Sequence, residues 1–245
     1  KNVDIRLFCF HYGGGSASAF RQWSKDLIHG VELVAIQLPG REERFNEPLL
    51  SNISQVVDNL CWNFYNYLDK PFIFFGHSIG SLIAFEFARA LHKKGMLQPK
   101  HLIVSGFKAP QVSFKKQSIH NLPNEKFITE LKKYNGIPDY IIDNKELISI
   151  FIPTIRADFC IFETYKYTNE EPLISHITAL GGVNDDTFNR NDLLGWKEQT
   201  KSSFNCHLLP GNHFFINSSY EEVIKIINDI LESEIARVKV NNGMR

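Results

Sequence analysis

The run Gly76-His77-Ser78-Ile79-Gly80 sets a serine between two glycines, each two residues away. Four apolar residues precede it, Phe72 to Phe75, and in the apolar segment that follows Leu82, Phe85, Ala88 and Leu91 recur at helical spacing. Strand, sharp turn and helix are the setting that a G-x-S-x-G nucleophile elbow requires. On so tight a turn the serine is expected in a strained backbone conformation, and side chains two residues to either side would collide. Gly76 and Gly80 remove those side chains. The Ser78 hydroxyl would then stand at the edge of a sheet, beside a helix N-terminus that favours developing negative charge. A plain strand-to-helix turn that happens to hold a serine is the alternative, and the rest of the chemical apparatus decides between them.

A serine that attacks a carbonyl needs an imidazole within hydrogen-bond reach and a carboxylate to set that imidazole's tautomer. Only loops at the C-terminal ends of strands can reach Ser78, and the chain order in this layout is serine, acid, histidine. Of the nine histidines, His213 in Pro210-Gly-Asn-His213 meets both conditions. His11 lies on the right edge but precedes the serine, His77 is held in the elbow, and His207 is inside a predicted strand. His29, His92, His101, His120 and His176 fall on predicted helices, strand interiors or a helical insertion. For the acid, the loop Phe107-Lys-Ala-Pro has no carboxylate. Gly181-Gly-Val-Asn-Asp-Asp186 offers both Asp185 and Asp186, and position alone does not choose between them. Turn capping is the other reading of an aspartate there.

An oxyanion formed at Ser78 needs backbone donors. Ile79, the residue after the nucleophile, supplies one N–H; Gly13, in the glycine run His11-Tyr-Gly-Gly-Gly-Ser-Ala-Ser18 after the first predicted strand, is the choice for the second. That run is neither G-x-G-x-x-G nor a P-loop with its lysine, so a phosphate cradle is poorly supported.

The elements that must position these groups alternate. Ile5–Phe10, Val31–Leu38, Phe72–Phe75 and His101–Gly106 read as strands. Helices are expected over Ala19 to about His29, over Asn52–Leu68, where Ile53, Val56, Val57, Leu60 and Phe64 share a face, and from the elbow to about Gly95. Such alternation implies a parallel sheet with right-handed crossovers. Arg41 and Arg44, in Arg41-Glu-Glu-Arg44 after Pro39-Gly40, could meet a phosphate, but a solvated charged loop is the preferred reading.

From about Pro110 to Tyr167 helical signals dominate: Asn124–Tyr134, Asn144–Phe151, and Pro153 to about Tyr165, with Pro153 in a first turn or at a kink. Leu147, Phe151, Ile155, Phe159 and Phe162 form an aromatic stripe, read mainly as core. A helical insertion between two strands of such a sheet is where a lid over the nucleophile would sit, and an apolar roof suits an acyl chain. The sheet resumes at Pro172–Leu180; a short helix over Asn191–Thr200, a last strand at Phe204–Leu209 and a helix from about Ser219 to Val238 follow, with Asn241–Arg245 expected to fray. The whole reads as a single domain, 1–245, of α/β class.

Composition narrows the function classes. Hydrophobic residues make up 43% of 245, as in ordinary globular chains. Lys+Arg and Asp+Glu are 27 each, so no global field argues for nucleic acid or a membrane surface. No apolar run approaches a membrane span, and Lys1–Phe10 is not a signal peptide. Cys9, Cys61, Cys160 and Cys206 lack metal or redox spacing and read as thiols of a reducing, cytoplasmic compartment. No histidine cluster of the H-E-x-x-H kind suggests zinc, and neither a metal nor a cofactor is expected.

Taken with Ser78, His213 and the two aspartates, several stretches carry a family resemblance. They are Phe8-Cys-Phe-His-Tyr-Gly-Gly-Gly-Ser-Ala-Ser18, Leu38-Pro-Gly-Arg-Glu-Glu-Arg44, Gly76-His-Ser-Ile-Gly80 and Leu122-Pro-Asn-Glu-Lys-Phe127. Arg156-Ala-Asp158, Glu163-Thr-Tyr165, Gly181-Gly182 with Asp185, and Pro210-Gly-Asn-His-Phe-Phe215 complete the set. The chain resembles the type II thioesterases that accompany nonribosomal peptide and polyketide synthases. The resemblance spans about Arg6 to Ile216, nearly the whole chain, and is far more specific than the elbow alone.

It implies an α/β-hydrolase fold, a mostly parallel sheet with helices on both faces. It selects Asp185 over Asp186, because the family's acid falls three residues after the glycine pair, and it supports Gly13 as an oxyanion donor. It also implies a substrate: acyl groups thioesterified to the 4'-phosphopantetheine arm of acyl or peptidyl carrier proteins, removed when aberrant or stalled. A monomer is expected. The family's usual proline and alanine in the first loop are His11 and Gly13 here; a main-chain N–H serves from either residue, with less rigidity at glycine. Two relatives with the same apparatus remain as alternatives, a medium-chain fatty-acyl thioesterase and a carboxylesterase on oxygen esters. A catalytically silent binding module is a third.

Overall fold

The computed structural model describes residues 3–113, 118–133 and 142–243. Six strands form one sheet: β1 (Ile5–Phe10), β2 (Val31–Ala35), β3 (Phe72–His77), β4 (His101–Ser105), β5 (His176–Gly182) and β6 (Phe204–Leu209). Their order is β2-β1-β3-β4-β5-β6 and every pairing is parallel. The sheet and its helices bear out the α/β-hydrolase expectation. Every residue of β3 is buried, as a central parallel strand covered on both faces must be.

Side chains alternate across the sheet and feed two cores. Phe8, Phe10, Phe72 and Phe74 point to one face, against helices α2 (Ile53–Phe64) and α3 (Ile79–Lys93). Ile5, Leu7, Cys9, Ile73 and Phe75 point to the other, where Phe20, Trp23 of the short α1 (Trp23–Asp26) and Val223, Ile227 and Leu231 cover them. On the first face Phe74 stacks on Phe87 at 5.2 Å and meets Phe10 edge-on at 5.3 Å. These rings lie directly beneath the elbow.

Between β4 and β5 the chain makes α4 (Asn124–Lys132) and the long α5 (Lys145–Glu163). Ile119, Phe127, Leu131, Ile148, Ile152, Ile155 and Phe159 form a small core of their own there. The two helices expected on either side of Pro153 are one helix with the proline inside it. Ile155, Phe159 and Phe162 of the expected apolar stripe pack in that core, but the stripe's start is one position off: Ile148 and Ile152 face the core, whereas Leu147 and Phe151 are exposed. Asn144 caps the start, accepting from the N–H groups of Glu146 and Leu147 at 3.1 Å each.

Four further boundaries differ from the sequence reading. The helix expected over Ala19–His29 is a 3-10 turn at Ala17–Phe20 and the single turn α1, because Gly30, at φ 85°, turns the chain directly into β2. β2 stops at Ala35, and Ile36 adds one more bond to Cys9 before the chain leaves the sheet. β5 begins at His176, and Leu173 makes only an isolated bridge to Thr200. Between β5 and β6 lies α6 (Arg190–Leu194); beyond β6 come α7 (Phe215–Ser218) and α8 (Tyr220–Gly243), whose backbone stays helical to Gly243, into the stretch expected to fray. Tyr134, and Met244 with Arg245, lie outside the described residues.

Phe74→Ala should destabilise the fold by about 3–5 kcal/mol, read from chemical denaturation, because the cavity opens in the most densely aromatic part of the core.

Candidate active site

Ser78 sits between β3 and α3 at φ 54° and ψ −126°, a left-handed-side conformation for a residue with a side chain. A Cβ on Gly76 would lie 2.2 Å from the carbonyl oxygen of Gly80, and one on Gly80 would lie 2.2 Å from that of Phe10. Both glycines are therefore obligatory for this turn. The Ser78 N–H donates to the Ser105 carbonyl at 2.7 Å, which ties the elbow to β4.

His213 Nε2 lies 3.0 Å from Ser78 Oγ, and His213 Nδ1 lies 2.7 Å from Asp185 Oδ2. Asp185 Oδ1 accepts from the Thr187 N–H at 2.9 Å and the Thr187 hydroxyl at 2.7 Å. A carboxylate so held can only accept from the imidazole. Nδ1 then carries the proton and Nε2 presents a lone pair to the serine hydroxyl. Burial alone would raise the Asp185 pKa; its bonds to His213 and Thr187 outweigh that and hold it below the ordinary carboxylate value. Asp186 is exposed.

The loops carrying acid and base are zipped together. Val183 N–H donates to Leu209 and Asn184 N–H to Gly211, each at 2.9 Å. A Cβ on Gly182 would meet the Asn212 carbonyl at 2.4 Å, so the glycine before the acid loop permits the approach of the histidine loop. Beside His213 lies His77, its ring centroid 5.3 Å away and its Nδ1 2.9 Å from Ser105 Oγ. Burial, and then the neighbouring His213, push the His77 pKa well down, so this ring is a neutral wall. Phe214 packs edge-on against His213 at 5.3 Å.

The glycine run forms a tight turn in which Gly15 N–H donates to the Tyr12 carbonyl at 2.9 Å. Gly14, its third residue, has φ 73°, the sign that a type II turn demands there. Gly13 lies against the start of α3: a Cβ on it would be 4.0 Å from Ile79 Cγ2. His11 is buried, and its Nδ1 lies 2.9 Å from the Tyr12 carbonyl, which can only accept, so Nδ1 is the protonated nitrogen. Burial, and then the charge of Arg41, push its pKa down to about 4.

Arg41 is not the solvated loop residue that sequence reading preferred. It is 7% exposed and forks onto Asp158, itself 1% exposed, with 2.9 Å bonds from Nη1 to Oδ2 and from Nη2 to Oδ1. A buried guanidinium pairs this way only where a carboxylate waits, and Asp158 is 117 positions away, too far for spacing to reveal. Arg44 does lie at the surface, paired with Glu47 at 2.6 Å. Among the described residues, no cluster of three or more His, Cys, Asp and Glu side chains could hold a metal ion, and no helix is long and apolar enough to cross a membrane.

A family model, the thioesterase domain, matches residues 5–231. The chain belongs to the thioesterase family. It is 44% identical over 223 residues to the gramicidin S biosynthesis protein GrsT of Aneurinibacillus migulanus, covering 91% of this chain and 87% of that one. Among solved structures, ClbQ from the colibactin NRPS/PKS pathway superposes with a TM-score of 0.90 at 29% identity, covering 98% of this chain and 99% of ClbQ. BorB, a type II thioesterase from the borrelidin biosynthetic cluster, does so with a TM-score of 0.85 at 28% identity, covering 94% of each chain. The type II thioesterase resemblance drawn from sequence motifs is borne out by these matches.

Asp185→Asn should lower kcat by about 10³-fold or more, whereas Asp186→Asn should stay within about twofold of wild type. The depressed Asp185 pKa has a sign in stability as well: its contribution is complete above the unfolded value of about 3.9 and drains as pH falls through the native one. Urea titrations from pH 6 to pH 2, pH values spanning that range, should show a shallower acid slope in the Asn variant.

Proposed function

We propose that the chain is a serine thioesterase that hydrolyses acyl groups from the phosphopantetheine arm of acyl or peptidyl carrier proteins, clearing misprimed or stalled synthases. The observation that carries the chemistry is the relay of 3.0 Å and 2.7 Å from Ser78 through His213 to Asp185. The substrate class is supported by the likeness to GrsT, ClbQ and BorB over almost the full chain.

In this reading Ser78 Oγ attacks the thioester carbonyl while His213 Nε2 takes the hydroxyl proton. The tetrahedral oxyanion rests on the N–H groups of Gly13 and Ile79. Collapse breaks the C–S bond, His213 returns the proton to the leaving thiolate, and the acyl group stays on Ser78. Water then attacks the acyl carbon with His213 as base, and His213 returns that proton to Ser78 Oγ as the C–O bond breaks and the acid leaves. Asp185 keeps the imidazole in the productive tautomer and stabilises it when protonated. The chemistry needs no resident cofactor, and the pantetheine arm enters with the partner.

The insertion at about 110–167, with α4 and α5 on their own small core, serves as the lid over Ser78. A cavity of about 400 Å³ lies between its end and the loop after β4, lined by Phe107, Phe162, Tyr165 and Tyr167 together with Lys108, Gln111 and Glu163.

Ser78→Ala should lose about 10³-fold or more in thiol release from acyl-pantetheine thioesters. Wild-type turnover in that variant would refute the assignment. Matched thioester and oxygen-ester substrates, in a chain-length series on carrier proteins, should favour thioesters; a preference for oxygen esters would favour the carboxylesterase reading.

A further inference from the structure

His11 is a buried histidine to which the mechanism above gives no role. It is 2% exposed and follows β1 directly, on the edge of the sheet that carries Ser78. Its Nδ1 lies 2.9 Å from the carbonyl oxygen of Tyr12, the next residue, and since a carbonyl only accepts, Nδ1 donates. Burial, and then the charge of Arg41, push the ring's pKa down to about 4, so at neutral pH there is no second proton for Nε2. Nε2 is buried without a hydrogen-bond partner among the described residues. Buried acceptors left unpaired are uncommon and costly. The ring bears that cost while serving one group, the Tyr12 carbonyl.

That carbonyl matters because of the N–H behind it. Tyr12 and Gly13 share a planar trans peptide, in which C=O and N–H point in opposite directions. Rotation about the Cα–C bond of Tyr12 swings the oxygen and the Gly13 N–H round together. The bond from Nδ1 closes a ring through the His11 side chain and the Tyr12 backbone, and this rotation lies inside the ring. Gly13 has no Cβ and adds no restraint of its own.

Two donors reach the Tyr12 carbonyl, and they belong to different parts of the molecule. The Gly15 N–H, at 2.9 Å, comes from within the glycine turn, which is bonded to Asp158 of α5 through the Gly14 N–H and to Arg41 through the Gly15 carbonyl. His11 comes from the end of β1, where its own backbone presses on the elbow: a Cβ on Gly80 would lie 2.7 Å from the His11 carbonyl oxygen. Gly80 adjoins Ile79, the other oxyanion donor, and a Cβ on Gly13 would be 4.0 Å from Ile79 Cγ2. His11 therefore has its backbone against one donor's segment and its side chain on the other donor's peptide.

We infer that His11 is a positioning residue for the oxyanion hole: its Nδ1–H, bonded to the Tyr12 carbonyl, sets the direction of the Gly13 N–H relative to the Ile79 N–H. The inference rests on the serine-thioesterase reading and deepens it. The Gly13 N–H is needed most where the substrate oxygen becomes an anion, so its direction governs kcat and leaves ground-state binding of the thioester little changed.

The test compares three substitutions in the full chain. His11→Asn keeps an N–H donor at the place of Nδ1, His11→Gln carries its amide one carbon further to the place of Nε2, and His11→Leu fills the space with no donor. Active sites are counted with a fluorophosphonate, and kcat and KM are measured on an acyl-pantetheine thioester. Affinity for an alkyl trifluoromethyl ketone, whose adduct on Ser78 is a tetrahedral oxyanion, is read from protection of Ser78 against the fluorophosphonate. His11→Gln and His11→Leu should each lower kcat per titrated site by about 10–100-fold with KM within about threefold, and should weaken the ketone by the same factor as kcat/KM. His11→Asn should stay within about threefold of wild type in both readouts. Nitrogen NMR of the histidine-labelled wild-type chain at neutral pH should show, for the ring whose signals vanish in His11→Asn, a protonated Nδ1 and a bare Nε2.

Wild-type kcat and ketone affinity in both His11→Gln and His11→Leu would overturn the inference. So would an equal loss in all three variants, the mark of packing rather than of the bond, or a loss explained wholly by fewer titrated sites with ketone affinity unmoved. A proton found on Nε2 of His11 would overturn it as well. Should His11→Leu fail to fold, the contrast between Gln and Asn decides. Failure of the underlying reading looks different: the wild-type chain itself would leave thioesters intact, while ketone protection and the His11 tautomer would still decide the inference.

Discussion

The strained backbone at Ser78 is the constraint on which the rest of the site depends. A residue at φ 54° between a strand and a helix persists only where its surroundings leave no alternative. Here the surroundings are a fully buried β3, the Ser78 N–H bonded to Ser105, and two glycines whose absent side chains let α3 and the first loop close in. The Phe74, Phe87 and Phe10 rings make that support stiff. With the serine anchored, three loops on the same edge of the parallel sheet need only short excursions to reach it. That convergence is the usual place for chemistry in an open α/β sheet.

Buried charge does the remaining organising. Asp185 is held on two sides and leaves the histidine one tautomer. Asp158 and Arg41 form a second buried pair, which also accepts the Gly14 N–H and donates to the Gly15 carbonyl; such a pair need not add net stability, since buried ion pairs often fail to repay desolvation. Removing one partner would leave the other charge unpaired in a dry interior. Both pairs tie loops at the sheet's C-terminal edge to packed elements: Asp185 joins the loop after β5 to the one after β6, and Asp158 joins α5 to the loops after β1 and β2.

Much of this was legible in the sequence. The periodicities of Phe72–Phe75 and of Leu82, Phe85, Ala88 and Leu91 placed the elbow, and chain order with loop position singled out His213. The aspartate needed more than spacing: Asp185 and Asp186 are neighbours, and only the family pattern, or the observed bond to His213, separates them. Arg41 was misjudged because a charged Arg-Glu-Glu-Arg run reads as solvated unless its distant partner is known. The break before β2 was invisible for a related reason, since Phe20 and Trp23 have helical spacing yet serve as two anchors of a turn. Pro153 left two readings open, a first turn or a kink in a longer helix, and tertiary packing of Ile148, Ile152 and Ile155 carries one helix through it.

The central claim is that an acyl group passes through Ser78. Rapid mixing of the full chain with an acyl-pantetheine thioester, followed by acid quench, digestion and mass spectrometry, tests it directly. The account predicts a transient mass increase equal to the acyl group on the peptide that carries Ser78, appearing with the free thiol and decaying as free acid accumulates. Thiol release with the acyl group on any other side chain, while Ser78 stays unmodified at every quench time, would contradict it.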